Sequence, residues 1–241
     1  MLMKPEKHQD KAIPRSKVIA LIAVLAGLYA VGSYLPGFPM LGVPGSKIDL
    51  VRALEIGYGL VLGTVYGPIA AFLGALVGKI LTGGGVGLYF TPLAPITAYV
   101  AANMRVKNGW KRSAAFLSLL ILAWYIAPLG RRAYLAPILH ISGLLILIIF
   151  GDRVFRYLRT DNRLKLYLGV FLAGFPSTLS GHLAGNIIYI NLFKPAPEFF
   201  IAILPVSTAE RLLITIIASA IGVPLILAIR LFYPELLRSI D

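Results

Sequence analysis

Long apolar stretches recur along almost the whole chain and leave few architectures open to it. Proline, glycine or charged residues separate eight such stretches, at residues 18–35, 51–66, 67–82, 92–105, 113–129, 134–151, 166–192 and 208–231. Inside a bilayer the backbone must satisfy its own hydrogen bonds, so apolar segments of this kind cross as helices. The sequence therefore predicts an all-α, polytopic membrane helical bundle.

The composition indicates one membrane domain with little soluble structure. Hydrophobic residues make up 58% of the 241 residues, charged residues make up 14%, and the mean hydropathy is +0.83. We expect a transmembrane domain at 18–232 between a basic cytoplasmic tail at 1–17 and a short cytoplasmic tail at 233–241. A cleaved signal peptide could also begin in this way, but the many later apolar segments favour an uncleaved first helix.

Three of the eight segments are short for a membrane span. Segments of 14 to 16 residues extend about 21–24 Å, whereas the hydrocarbon core is roughly 30 Å thick. Two arrangements therefore remain open: all eight segments cross, or six full spans accompany a broken or re-entrant pair. Irregular backbone at membrane depth is tolerated only where protein or water covers it.

The basic residues indicate how the chain is oriented. A net charge of +13 would suggest nucleic-acid binding in a soluble protein. Here most basic residues lie between apolar segments, in clusters at 4–17, 105–112 and 153–165. With eight crossings these clusters and both termini share one side, as the positive-inside rule predicts for the cytoplasm. We expect a multi-pass protein of the cell (plasma) membrane with cytoplasmic termini, surrounded by lipid, with no nucleic-acid partner.

Small residues in the first apolar segment are spaced for close helix packing. Ala23 and Gly27 are four residues apart, as are Ala26 and Ala30, so each pair forms a smooth ridge. Either this face packs inside the bundle or it binds a partner subunit.

Polar residues at membrane depth are the candidates for a binding site. His182, Asn186 and Tyr189 follow the spacing i, i+4, i+7 and would share one helix face. Buried polar groups are costly in lipid and often line a cavity, although hydrogen bonds between helices would also explain them. If all eight segments cross, four charged residues are expected near the extracytoplasmic end of the bundle: Arg52, Glu55, Glu210 and Arg211. They either form ion pairs with one another or surround one polar pocket.

Two further features have both a functional and a structural interpretation. The loop at 36–49 contains three prolines and three glycines, so it either covers a pocket as a lid or simply connects two helices. Four aromatic residues could stack on a flat ligand or anchor the protein at the membrane interface: Trp124, Tyr125, Tyr189 and Phe193.

No motif for catalysis or cofactor binding is recognisable. GALVGK at 74–79 has three residues between its glycines and no Ser or Thr after the lysine, so it does not match a phosphate-binding loop. The chain has no cysteine, and its three histidines are far apart in sequence. We expect no metal, no cofactor and no enzymatic activity.

The order of these features resembles the substrate-binding membrane subunits (S components) of energy-coupling factor (ECF) transporters, which take up vitamins and related micronutrients. The resembling stretches are the first helix at 17–36 with Ala26 and Ala30, the junction at 65–81 with Gly67 and Pro68, GHLAGNIIYINLF at 181–193, and the last helix at 203–230.

The resemblance implies a six-helix S-component-like core with its substrate near the outer face, beneath the loop at 36–49. It implies that small residues of the first helix contact a transmembrane coupling protein, which two cytoplasmic ATPases drive: Ala23, Ala26, Gly27 and Ala30. The pocket candidates are His182, Asn186, Glu210 and Arg211. The region at 92–151 is longer than a minimal member needs, and the Met-His start of the cobalt and nickel members is missing, which argues against a metal substrate.

The sequence thus favours a binding subunit for a small polar or aromatic micronutrient. One alternative is a proton-coupled secondary transporter, with Glu55, Glu210 and Arg211 in the coupling, although no convincing internal repeat is found. A second alternative is a lipid-modifying enzyme with His182 as base, which would need a nearby carboxylate pair or metal cluster.

Overall fold

Helices dominate the computed structural model, which describes residues 14–39 and 47–233. The helices are α1 (Arg15–Gly32), α2 (Ala53–Leu81), α3 (Leu93–Asn103), α4 (Trp110–Ile126), α5 (Pro128–Arg132), α6 (Ile138–Tyr157), α7 (Arg163–Phe193), α8 (Pro197–Ala202) and α9 (Leu204–Phe232). Short 3₁₀ helices lie at Leu50–Arg52 and Gly85–Phe90, and strand β1 (Gly37–Pro39) pairs antiparallel with β2 (Lys47–Asp49). Within the described ranges, five segments are long and apolar enough to cross a membrane. The predicted class, a multi-pass helical membrane bundle, is confirmed.

Helix α2 folds back on itself at Gly63. This residue has φ 76° and ψ −166°, a region that essentially only glycine adopts. A Cβ atom on Gly67 would lie 2.7 Å from the Tyr58 carbonyl oxygen and 2.9 Å from the Gly59 Cα. Residues 53–62 and 64–81 therefore form a tight helical hairpin. The sequence predicts the boundary between these two segments at 66/67. The reversal instead lies at Gly63, because its positive φ is open to glycine and strained for other residues.

Helix α3 packs against the first half of this hairpin. Its backbone approaches Gly59 so closely that a Cβ atom there would overlap the Ala98 carbonyl oxygen. Both 53–62 and α3 extend only about 15–17 Å, so neither is long enough on its own to cross the hydrocarbon core. Arg105 follows α3 and donates from Nη1 to the Val61 carbonyl oxygen at 2.9 Å. This bond satisfies a carbonyl near the end of 53–62, where the helix provides no partner.

Two of the basic clusters lie at one end of the bundle. Trp110, within the cluster at 105–112, donates from Nε1 to Asp152 Oδ1 at 3.0 Å, and Asp152 directly precedes the cluster at 153–165. Arg230, near the end of α9, donates to the Leu158 and Thr160 carbonyl oxygens in the loop that connects α6 to α7. The end of α9 therefore lies on the side of these basic loops. The cluster at 4–17 falls mostly outside the described residues, and the cytoplasmic orientation stays a prediction.

Candidate functional site

Two neighbouring cavities lie at the end of the bundle opposite the basic loops. The main cavity has a volume of about 80 Å³ and is lined by Ile48, Arg52, Phe90, Leu93, His182, Gly185, Asn186, Tyr189, Phe199, Phe200, Ile203, Val206, Ser207, Glu210 and Arg211. The side cavity has a volume of about 160 Å³ and is lined by Tyr29, Lys47, Ile48, Asp49, Arg52, Glu55, Ala75, Lys79, Thr82, Gly84, Gly87, Phe90, Thr91 and Ala94. Ile48, Arg52 and Phe90 line both cavities, so they separate the two spaces.

Helix α7 brings its predicted polar stripe to the main cavity. Asn162 is the N-cap of this helix, and its side chain accepts a hydrogen bond from the Lys165 backbone N–H at 3.0 Å. Glycines at 181 and 185 allow close approach of α3, because a Cβ atom at either position would meet side chains of α3. His182, Asn186 and Tyr189 then all line the cavity, as their shared helix face predicts.

His182 is paired with a histidine that the sequence analysis did not single out. His140 lies on α6, and its Nε2 is 3.2 Å from His182 Nδ1, with the two rings stacked at a centroid distance of 5.2 Å. This contact connects residues 42 positions apart, so no local sequence signal indicates it. Asn186 makes no hydrogen bond to the part of the chain that the structure describes, so its amide is free to bind a ligand.

Aromatic side chains form one wall of the main cavity. Tyr189 stacks on Phe199 at 5.6 Å, and Phe200 contacts Tyr189 edge-on at 6.1 Å. Behind this wall, buried Trp124 meets the Phe200 ring edge-on at 4.9 Å. Phe199 and Phe200 are not among the predicted site residues, although two adjacent aromatic residues shortly after KPAP at 194–197 are a local signal.

The other predicted aromatic residues have structural contacts. Phe193 packs against Tyr189 at 4.9 Å and does not line either cavity. The Tyr125 hydroxyl donates to the Tyr134 carbonyl oxygen at 2.9 Å, between α4 and the segment after α5.

The main cavity contains a buried cation with poor pairing. Arg211 is only 2% exposed, and its Nη2 is 3.4 Å from Glu210 Oε2, long for a charge-assisted hydrogen bond. Its Nε has no hydrogen-bond partner among the described residues. Both Glu210 and Arg211 line the cavity from the start of α9.

Glu55 lies outside the main cavity. It is 1% exposed and lines the side cavity, where its Oε1 accepts a hydrogen bond from the Tyr29 hydroxyl at 2.8 Å and forms an ion pair with Arg52 Nε at 3.3 Å. Because Arg52 lines both cavities, its ion pair with Glu55 lies at the boundary between them. Of the seven predicted substrate-binding residues, Glu55 alone does not line the main cavity. That any of the seven binds a substrate stays a prediction.

The four predicted coupling residues of α1 do not share one environment. Ala23 and Gly27 are exposed, and a Cβ atom on Gly27 would meet no atom within 4 Å. Ala26 and Ala30 instead face α2, where Gly74 and Gly78 let the two backbones approach closely. Ala26 and Ala30 therefore pack inside the bundle, whereas Ala23 and Gly27 lie on its outer surface.

Part of the loop at 36–49 contributes to the walls of both cavities. Strands β1 and β2 form an antiparallel hairpin, and residues 40–46 between them lie outside the described residues. Ile48 of β2 lines both cavities. Asp49 binds Lys79 of α2, and Lys47 donates to the Ser33 and Leu35 carbonyl oxygens at 3.0 and 2.8 Å. These contacts attach the hairpin to the bundle.

We expect Lys79→Met to loosen this hairpin. Asp49 is buried, and without Lys79 its nearest cation is Lys47, whose Nζ is 3.4 Å from Oδ1. Loss of Lys79 leaves the buried carboxylate with only this longer contact to a partly exposed lysine, and we expect about 1–3 kcal/mol of local destabilisation. Hydrogen exchange of the β1 and β2 amides should become at least several-fold faster, whereas exposed Lys107→Met, at the opposite end, should leave it unchanged. Equal exchange in both variants would contradict the assigned role of Lys79.

The chain is similar in part to a known sequence and to a solved structure. No protein-family model matches the chain. Over 184 residues the chain is 30% identical to an uncharacterized protein of Methanocaldococcus jannaschii, an alignment that covers 76% of this chain and 61% of that protein. The chain thus spans less than two thirds of the relative's length. A crystal structure of the S-component for biotin from an ECF-type ABC transporter aligns with 86% of this chain and 91% of its own, at 17% identity and a TM-score of 0.32. A TM-score of this size does not establish a common fold.

Proposed function

We propose that the protein is the substrate-binding membrane subunit of an ECF-type importer for a vitamin or similar micronutrient, without catalytic activity of its own. The observation that carries this proposal is the main cavity, where polar and aromatic side chains from separate elements meet beside Ile48 of β2. Arg52, α7, α8 and α9 supply charged, amide and aromatic groups to one space. A cavity with mostly apolar walls and a few convergent polar groups is typical of small-molecule sites.

The proposed arrangement includes partners and an orientation. The hairpin would cover the cavities on the outer side of the plasma membrane, and both termini would lie in the cytoplasm. The exposed part of α1 around Ala23 and Gly27 would contact a transmembrane coupling protein that two cytoplasmic ATPases drive. Small residues at these positions allow two membrane helices to approach closely.

Ligand-dependent thermal unfolding of the detergent-purified protein tests the proposal. A panel of vitamins, nucleobases and amino acids is used, because a ligand at 100 times its dissociation constant stabilises the folded state by about 2.7 kcal/mol. The stabilisation should disappear in Asn186→Ala and persist in Asn191→Ala. Asn191 is the matched control because its side chain donates to the Ile187 carbonyl oxygen within α7 at 2.7 Å. If no member of the panel stabilises the protein, the binding role is wrong.

A proton-coupled secondary transporter is the second candidate, and the hairpin in α2 favours it. Secondary transporters build their sites from discontinuous helices, and α2 reverses at Gly63 below buried Glu55. Glu55 Oε2 has no hydrogen-bond partner in the described ranges. Uptake into liposomes that contain this protein alone, driven by a proton gradient, would support this candidate. A requirement for the coupling protein and ATP would support the first.

A further inference from the structure

Arg211 indicates the chemical class of the substrate, an inference that rests on the proposed function of the main cavity. A guanidinium group carries five N–H donors and stays charged in proteins. In the described part of the chain, the Arg211 side chain forms a single hydrogen bond, the 3.4 Å contact with Glu210, and its Nε is buried without a partner. A buried arginine is normally paired and hydrogen-bonded. The protein alone therefore leaves this cation under-satisfied beside an open space.

The other polar groups of the main cavity do not remove this deficit. Arg52 is itself a cation and is bonded to Glu55, whereas His182 is bonded to His140. Two arginines and one glutamate line the cavity. Arg52 is paired with Glu55 and Arg211 lies beside Glu210, so the two cations and two carboxylates are equal in number. What is lacking is hydrogen-bond acceptors for the Arg211 side chain. Asn186 and Ser207 add hydrogen-bonding groups without charge.

We propose that the substrate carries a single carboxylate, which binds Arg211, and a flat ring, which lies against Tyr189, Phe199 and Phe200. A carboxylate matches the planar fork of a guanidinium and accepts two parallel hydrogen bonds from it. One carboxylate supplies the acceptor that the Arg211 Nε lacks. Asn186 provides a further donor near the carboxylate, and the aromatic wall provides stacking surface.

Matched acids and neutral analogues test the charge of the substrate. The probes are nicotinate, isonicotinate and benzoate, which each carry one carboxylate on a flat ring, and each is compared with its uncharged amide: nicotinamide, isonicotinamide and benzamide. The chain has two tryptophans, so Trp110→Phe leaves Trp124, which contacts Phe200 of the cavity wall, as the fluorescent reporter. We expect an acid of this panel to change Trp124 emission and bind about 100-fold more tightly than its neutral counterpart.

A matched set of variants assigns this preference to Arg211. In Glu210→Gln/Arg211→Met, both members of the pair become uncharged, which avoids leaving one buried charge alone. This variant should lose the acid-over-neutral preference, reducing the roughly 100-fold ratio to within about threefold, and Arg211→Lys should retain part of it. Arg230→Met is the control, because Arg230 bonds loop carbonyls at the opposite end of the bundle. It should keep the full preference for acids.

The outcomes separate this inference from the proposed function. Equal binding of acids and neutral analogues, or a preference that survives the double variant, would overturn the inference and leave a binding subunit in place. A neutral or cationic ligand found in the broad thermal panel would overturn it in the same way. If neither panel yields a ligand, both the inference and the binding role fail. Because the comparison of acid and neutral ligands uses the wild-type pocket, it remains decisive even if the double variant does not fold.

Discussion

Replacing Glu55 by leucine is expected to remove about 3–5 kcal/mol of the free energy of unfolding. The carboxylate is buried and holds two groups from different elements, the Tyr29 hydroxyl of α1 and the Arg52 guanidinium before α2. Leucine has no acceptor, so the substitution leaves a hydroxyl and a positive charge unpaired in the interior. Removal of one partner from a buried ion pair is among the most destabilising single changes.

Two companion variants show whether the charge or the hydrogen bond dominates. Tyr29→Phe deletes only the hydroxyl, and we expect a loss of about 1 kcal/mol. Arg52→Met/Glu55→Leu deletes both charges and should recover most of the stability lost in Glu55→Leu, because apolar replacements of a buried pair are often neutral. The double-mutant cycle gives the coupling energy between the two side chains directly.

Thermal unfolding of the purified variants, followed by circular dichroism, provides the measurement. The predicted order of stability is wild type, then Tyr29→Phe, then the double variant, with Glu55→Leu the least stable. Wild-type stability in Glu55→Leu would mean that water or lipid headgroups satisfy Arg52 and Tyr29 as well as Glu55 does. The assigned role of Glu55, which is to hold the Tyr29 hydroxyl and the Arg52 guanidinium together, would then be wrong.

The features that follow from helical periodicity could be predicted from the sequence. His182, Asn186 and Tyr189 share a face whenever 163–193 is one helix, and the structure places all three at the main cavity. The positions of the apolar stretches likewise predict the helices to within a few residues. Such predictions depend on spacing within one segment and need no knowledge of its neighbours.

The features that depend on contacts between distant segments could not be predicted. His140 lies beside His182 because α6 packs against α7, and Glu55 lies in the side cavity because Tyr29 approaches from α1. The division of the small residues of α1, with Ala30 packed on Gly78 and Gly27 exposed, also depends on helix rotation. Sequence spacing gives the ridges but not the direction in which each ridge faces.

Gly59 is expected to be the least replaceable of the glycines in the α2 hairpin. Its backbone lies against both α3 and the returning half of α2, since Gly67 approaches Gly59 Cα and a Cβ atom on Gly59 would lie 3.1 Å from the Ala102 amide nitrogen. The same Cβ atom would overlap the Ala98 carbonyl oxygen, which is backbone and cannot rotate away. The segment 53–62 and α3 can therefore keep this short separation only if position 59 has no side chain.

We expect Gly59→Ala to destabilise the protein by about 1–3 kcal/mol and Gly59→Leu to prevent accumulation of folded protein. Gly27→Ala is the matched control: it is also a helical glycine, but it has open space around it. Alanine is favoured over glycine in a helix interior by roughly 0.5–1 kcal/mol, so this control should be neutral or slightly more stable. Thermal unfolding compares the three variants. If Gly59→Ala were as stable as Gly27→Ala, α3 would have room to move away from the hairpin, and the tight packing that positions the side cavity would not be essential to the fold.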